Sequence, residues 1–429
     1  MSAGAAASPT APVLQLWRWV RNPAFWLLVA DVFAVLTALV LPWSTSLVAI
    51  FALCWLGSTA LFVDYGVYGR SLKQPICALP FAMFALAVVG TLWSDASWGE
   101  RLYAISPAVK LLFLPGLFYH FERSSRGTWV FTAFLVSCVA MTLASWITAF
   151  HPAITLKPES DWVCGVFVKN YIDQSQEFTL CTIALAYPVM THLKAKKWLP
   201  AGLLVAAALS FIVNMLFVIA SRTALATMPI MLLVFALRYL EWRGVIMVAM
   251  VTVIAGFAWA ATPRKCRTVE TLFRDFELYH YNVATSAGLR LEFWIKSLHF
   301  IREAPLIGHG TGSIRGLFER AATGNADEAS GTVVANPHNQ TLSVAIQWGV
   351  IGVILLYAMW LSHLLLFRGE GLAVWLGLLV VVQNMLSSLF NSHLFDFHAG
   401  WMYVLGVGVA GGMVLRNKAG AANGPQNSG

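Results

Sequence analysis

The residues able to do chemistry stand where apolar runs break. Arg222 interrupts FVIASRTALATM, Arg290 opens RLEFW, and His338 sits in NPHNQ just before hydrophobic sequence resumes. A guanidinium near hydrocarbon is costly unless an anion or a water-filled cleft receives it. Two arginine forks suit the oxygens of a phosphate or pyrophosphate. An imidazole titrating near neutrality is suited to take a proton from a hydroxyl nucleophile. Each residue also has a plainer reading: a snorkelling arginine at 222, a solvated one on an amphipathic helix at 290, and a helix-start histidine at 338, with Pro337 suited to a helix beginning there. Asn336 and Pro337 precede His338, and Asn339 and Gln340 follow it, where amides orient a ring or bind hydroxyls.

The other polar features carry weaker chemistry. His393, Asp396 and His398 lie in NSHLFDFH, a spacing a metal accepts but interfacial structure explains better. There is no D-x-D; Asp275-Phe276-Glu277 is the nearest approach, so no metal site is expected. GHGTGS, Gly308 to Ser313, lacks the Lys-Ser/Thr ending of a P-loop and reads as a flexible turn. Arg264, Lys265 and Arg267 form a basic cluster suited to lipid headgroups or substrate phosphates.

What positions these residues is set by composition. Apolar residues make up 59% of the 429, charged residues 11%, and the mean hydropathy is +0.70. A soluble chain carries far more charge, so the expected class is an all-α polytopic membrane protein. With about 20 apolar residues per span, about 12 segments qualify: 24–41, 44–63, 76–93, 103–119, 128–150, 176–193, 198–220, 223–240, 244–261, 340–366, 371–390 and 398–415. The fourth is the weakest, because it holds Lys110 and two prolines. The cysteines show no CxxC and most lie in apolar runs, as core residues do.

The net charge of +8 suggests nucleic acid until its placement is read. Arg18 and Arg21, Arg70 and Lys73, Arg123 and Arg126, Lys194, Lys196 and Lys197, Arg238 and Arg243, Arg368, and Arg416 with Lys418 fall in alternate connections. That is the positive-inside pattern, so no nucleic-acid partner is expected, membrane lipid is, and both termini are expected in the cytoplasm. The resulting division is a cytoplasmic segment 1–23, helices 1–9 over 24–261, a large outer loop 262–339 between helices 9 and 10, helices 10–12 over 340–415, and a disordered cytoplasmic tail 416–429. Arg222, Arg290, His338 and NSHLFDFH then share the outer face. Within the loop, Leu291, Trp294, Ile295, Leu298 and Ile301 predict an amphipathic helix near 286–303, capped by Ser286 and limited by Pro305. Trp294 stands one turn from Arg290 on its side of that helix.

SRT at 221–223, RLEFW at 290–294, PLIGHGTGS at 305–313, NPHNQ at 336–340 and the following Gln347-Trp348-Gly349 together resemble the O-antigen ligase and polymerase superfamily. The resemblance implies a GT-C-like glycosyltransferase at the periplasmic face of a Gram-negative inner membrane. It would move a glycan from undecaprenyl pyrophosphate to a sugar hydroxyl of lipid A core, with inversion, and without ATP, metal or cofactor. On the same resemblance Arg222 and Arg290 match the arginines assigned to the donor pyrophosphate, and His338 the histidine that activates the acceptor. The basic cluster 264–267, Trp294, Asn336, Asn339 and Gln340 would contact substrate. An O-antigen polymerase and an O-linking protein glycosyl ligase are the near alternatives, and a secondary transporter the distant one. The chain shows no convincing internal repeat, which disfavours the transporter.

Overall fold

The computed structural model describes residues 22–156, 163–219, 222–260, 281–325 and 328–422. Among these the chain is helical throughout: α1 Pro23–Val40, α2 Thr45–Ala60, α3 Tyr65–Ser71, α4 Pro75–Val89, α5 Trp98–Val109, α6 Phe113–Arg123, α7 Gly127–Phe150, α8 Tyr171–Ala184 and α9 Ala186–Lys194. There follow α10 Trp198–Phe217, α11 Arg222–Tyr239, α12 Trp242–Ala260, α13 Ser286–Glu303, α14 Ile314–Arg320, α15 Gln340–Leu366, α16 Leu372–Ser387 and α17 Phe397–Ala422. Starts carry local signals: Asn22 caps α1 ahead of Pro23, Ser44 caps α2, and Ser97 with Glu100 forms a capping box on α5.

This is a multi-pass membrane protein, but the span count differs from the hydropathy reading. Each of the twelve apolar segments falls on helix, yet seven helical stretches among the described residues are long and apolar enough to cross a membrane. An eighth is reached if α2 and α3, bent by 117°, count as one. Two causes stand out. The 176–193 segment is split into α8 and α9, with a polar first half in α8, and α16 has only 16 residues. Trp98–Arg123 runs as one stretch through a 3-10 turn at Lys110–Leu112, so the doubtful fourth segment is among the seven.

The central helix is α17, buried along most of its length and packed chiefly on α6 and α16. Small residues permit that approach: a Cβ on Gly408 would lie 2.6 Å from the Leu117 Cβ. One buried charge, Asp31, is paired. Asp31 of α1 accepts from Ser124 Oγ (2.6 Å) and meets Arg126 at 3.2 Å. His120 Nδ1 accepts from the Trp55 indole at 2.9 Å, which leaves its Nε2–H for Asp31 at 3.0 Å.

One break matters for the site. At Gly349, φ 60 and ψ −155, α15 is interrupted after Gln340–Trp348. The helical bonds lost there are replaced by the 305–310 loop. Val350 N donates to Pro305 O (2.9 Å) and Ile351 N to Leu306 O, while His309 N and Gly310 N reach the freed Ile346 and Gln347 carbonyls at 2.8 Å each. Thr311 extends the splice: its hydroxyl donates to Ala87 O (2.6 Å) and accepts from the Trp348 indole (2.8 Å). GHGTGS is therefore a buried clamp joining α4, the loop and α15, and not the flexible turn its glycines suggested.

Candidate functional site

The site gathers at the N-terminal end of α15. Helix begins at Gln340, and the N-cap is Asn339, whose Oδ1 accepts from Leu342 N at 3.1 Å. His338 is thus not the cap. It holds φ 54, a left-handed backbone uncommon for a side-chain-bearing residue, with its N–H on Asn336 Oδ1 at 2.9 Å.

The ring is fixed by a chain of amides. Asn391 Nδ2 donates to Asp396 Oδ2 at 2.6 Å, so the Asn391 oxygen faces His338. That oxygen lies 3.0 Å from His338 Nδ1 and also accepts from Asn336 Nδ2 at 2.9 Å. An amide oxygen only accepts, so this network assigns the proton to Nδ1 and a lone pair to Nε2. Nε2 has no hydrogen-bond partner among the described residues. Ser392 Oγ closes the group by donating to Asn336 Oδ1 at 2.8 Å.

α13 brings the second component. Phe293 stacks on the His338 ring, centroids 6.0 Å apart and planes at 29°. Arg290, one turn earlier and half-buried, makes no hydrogen bond or ion pair with a described residue. Burial holds the His338 imidazole below its ordinary value; the Asn391 hydrogen bond raises it and the Arg290 charge lowers it further. His393, 1% exposed, is pushed down to about 4, chiefly by burial, with the charge of Arg290 among the lesser causes. Burial raises Asp396 to about 6, reinforced by Asp173 and opposed by Lys110. The His393 ring meets Gln176 Nε2 at 3.0 Å, and His398 meets Asp173 at 2.9 Å, which ties this turn to α8.

Other expected residues have specific places. Asn339 also donates from Nδ2 to Leu389 O at 3.2 Å. Gln340 is fully buried and its Oε1 accepts from Leu394 N at 3.0 Å, holding the 388–394 turn against α15. Trp294 is half-buried against Phe293 and its neighbours. Arg222 is the first residue of α11, and its side chain lies outside the described set. Arg264, Lys265, Arg267 and the Asp275–Glu277 triplet lie outside the described residues. Among the described residues no group of three His, Cys, Asp or Glu is placed to hold a metal ion.

Helix 286–303 forms over the expected range, but its cap is Thr285, with Oγ1 accepting from Gly288 N, rather than Ser286. Its buried face also differs. Phe293, Ser297 and Phe300 are buried, whereas Ile295 and Leu298 are about half exposed. The face turns because the helix packs Phe293 and Phe300 onto Phe318 of α14 and Ile346 of α15. That rotation is what aims position 290 at His338. Asn391 went unremarked in the sequence reading; its one signal is the polar NSHLFDFH segment between two apolar runs.

The chain carries a Wzy_C O-antigen ligase domain: the family model of that description matches residues 205–357. The match takes in Arg222, Arg290 and His338. The family is one of membrane glycan-transferring enzymes shared by O-antigen ligases and polymerases. No curated protein matches the chain.

Proposed function

We propose that this O-antigen ligase domain transfers a glycan from undecaprenyl pyrophosphate to a sugar hydroxyl of lipid A core, inverting the anomeric carbon, at the periplasmic face of a Gram-negative inner membrane. The observation that carries the reading is His338 Nε2, a lone pair set by the Asn391–Asp396 amide chain and left without a partner among the described residues. That is the state a general base needs. Nε2 takes the acceptor proton as the acceptor oxygen forms its bond to the anomeric carbon. The bond from that carbon to the pyrophosphate oxygen breaks, and Arg290 with Arg222 takes up the charge left on the departing pyrophosphate. The reaction draws on the donor's own phosphoester and needs no ATP.

Arg290 fits this role because no described carboxylate neutralises it. Reconstituted protein given an undecaprenyl-pyrophosphate glycan, with either lipid A core or a second lipid-linked glycan, tests the reading. Transfer onto lipid A core is expected, and products found only as longer lipid-linked chains would make the chain a polymerase. His338→Ala should remove turnover while the folded protein persists. EDTA should leave the wild-type rate unchanged, and a rate lost to EDTA and restored by a divalent ion would overturn the metal-free step.

A further inference from the structure

Bordering the residues that hold the histidine, though not lined by His338 itself, is a cavity of about 820 Å³, within the size range of small-ligand sites. Asn336, Ser392 and Asp396 form one wall, so it adjoins the amide chain that holds His338. The opposite wall is α5, from Gly99 to Val109. We propose that this cavity is the acceptor subsite and takes the hydroxyl-rich glycan headgroup of the acceptor lipid. The inference rests on the transferase reading above and adds to it where the acceptor binds.

Three observations support the assignment. First, the lining pairs rings with polar groups: Tyr103, Phe113, Phe397 and Trp401 stand with Ser106, Ser343 and Gln347. The C–H face of a sugar packs on an aromatic ring while its hydroxyls need donors and acceptors. Second, the charges on the lining are already engaged. Lys110 Nζ donates to the Phe395 and Asp396 carbonyls, Glu100 closes the α5 capping box, and Arg315 pairs with Glu319 at 2.9 Å. A pyrophosphate finds no cation on this wall without a protein partner, whereas a hydroxyl-rich glycan needs none. Third, the lining includes Asn336, which donates to the Asn391 oxygen that also meets His338 Nδ1, and does not include Arg290, so the cavity borders the amide chain and not the guanidinium. A displacement with inversion puts the acceptor oxygen and the departing pyrophosphate on opposite faces of the anomeric carbon, so it needs an acceptor space distinct from the donor's.

The wall is also rigid. Gly312 packs against the Glu100 carbonyl, where an added Cβ would sit 3.0 Å away, and Lys110 pins the base of α5 to the 395–396 turn. The site is thus preformed, which limits the ordering cost of binding.

Gly99 supplies the test. It lines the cavity, and a Cβ built on it meets nothing within 4 Å, so a large side chain there enters the space without displacing backbone. Gly99→Trp should raise the acceptor KM by about tenfold or more and leave the donor KM unchanged; Gly99→Ala should behave as wild type. Free core oligosaccharide without acyl chains should compete with lipid A core in wild type and compete less against Gly99→Trp, which separates recognition of the glycan from recognition of its lipid. An unchanged acceptor KM in folded Gly99→Trp, or a rise confined to the donor KM, overturns the assignment. Failure of wild-type protein to transfer to any acceptor overturns the transferase reading instead, and free-oligosaccharide binding that Gly99→Trp weakens would still uphold the subsite.

Discussion

Asn391 offers the sharpest perturbation, because three bonds converge on it and each predicts something different. Replacing it by Ala removes the acceptor 3.0 Å from His338 Nδ1 and the donor to Asp396. A neutral hydrogen bond is worth about 0.5–1.5 kcal/mol, and this one, between half-buried groups, is taken at the upper half of that range. If that bond selects the Nδ1–H tautomer, kcat should fall roughly 5- to 10-fold with little change in either KM. The Asn391 bond also raises the His338 pKa, so its loss should move the acid limb of the pH–rate profile to lower pH. Asn391→Asp reverses that sign, since a carboxylate beside an imidazole raises its pKa by about 1–3 units. Asp396→Asn in the same chain keeps a donor facing an acceptor and relieves the clash of two carboxylates. Initial rates at saturating donor and acceptor across about pH 5–9 read both effects. Wild-type kcat and an unmoved acid limb in folded Asn391→Ala would refute the tautomer argument.

Arg290→Gln should lower kcat by about 10²–10³ and, by removing a charge that depresses His338, shift the acid limb upward; a downward shift would place the guanidinium elsewhere. In the wild type, turnover should fall as pH drops through about 6, where Asp396 takes up a proton and no longer serves only as an acceptor for Asn391, so a rate that stays flat to pH 5 in titration would separate Asp396 from the site. Gly349→Ala places a Cβ 2.3 Å from the Leu306 carbonyl carbon on a left-handed backbone, a cost of about 3 kcal/mol or more, read as a lowered unfolding midpoint in detergent. Thr311→Val leaves the buried Trp348 indole without its acceptor and should cost about 1–3 kcal/mol by the same measurement.

Hydropathy made the helices legible because each apolar run had to satisfy its own backbone, and in lipid only a helix does so within one segment. It counted twelve spans where seven or eight helical stretches among the described residues are long and apolar enough to cross. Length alone does not separate a full span from α16, and a window opening at 176 left out most of the polar stretch Asp173 to Glu177, which lies in the first turns of α8 and is buried by packing against other helices rather than exposed at a surface. The glycines of GHGTGS misled for a related reason. Gly308 and Gly310 do take positive φ, as a turn would, but they do so because the Gln347 and Ser94 backbones press within 2.6 Å of where a Cβ would stand. Local sequence reports the backbone angle and not the distant strand of chain that demands it.

The same limit governs the site. His338 was legible because a histidine beside proline at the edge of an apolar run is conspicuous in one short window. Asn391 was not, although the two side chains are 3.0 Å apart, because 53 residues and the whole of α15 and α16 separate them. Yet the proposed chemistry would depend on the less visible partner: an imidazole without a fixed tautomer presents its lone pair on either nitrogen. The break at Gly349 links these facts. It frees two carbonyls that only the 305–310 loop satisfies, which anchors the C-terminal end of α13, and α13 in turn carries Arg290 and Phe293 to the ring. A helix interrupted beneath the histidine therefore does for position 290 what the Asn391–Asp396 pair does for the proton: it removes the alternatives.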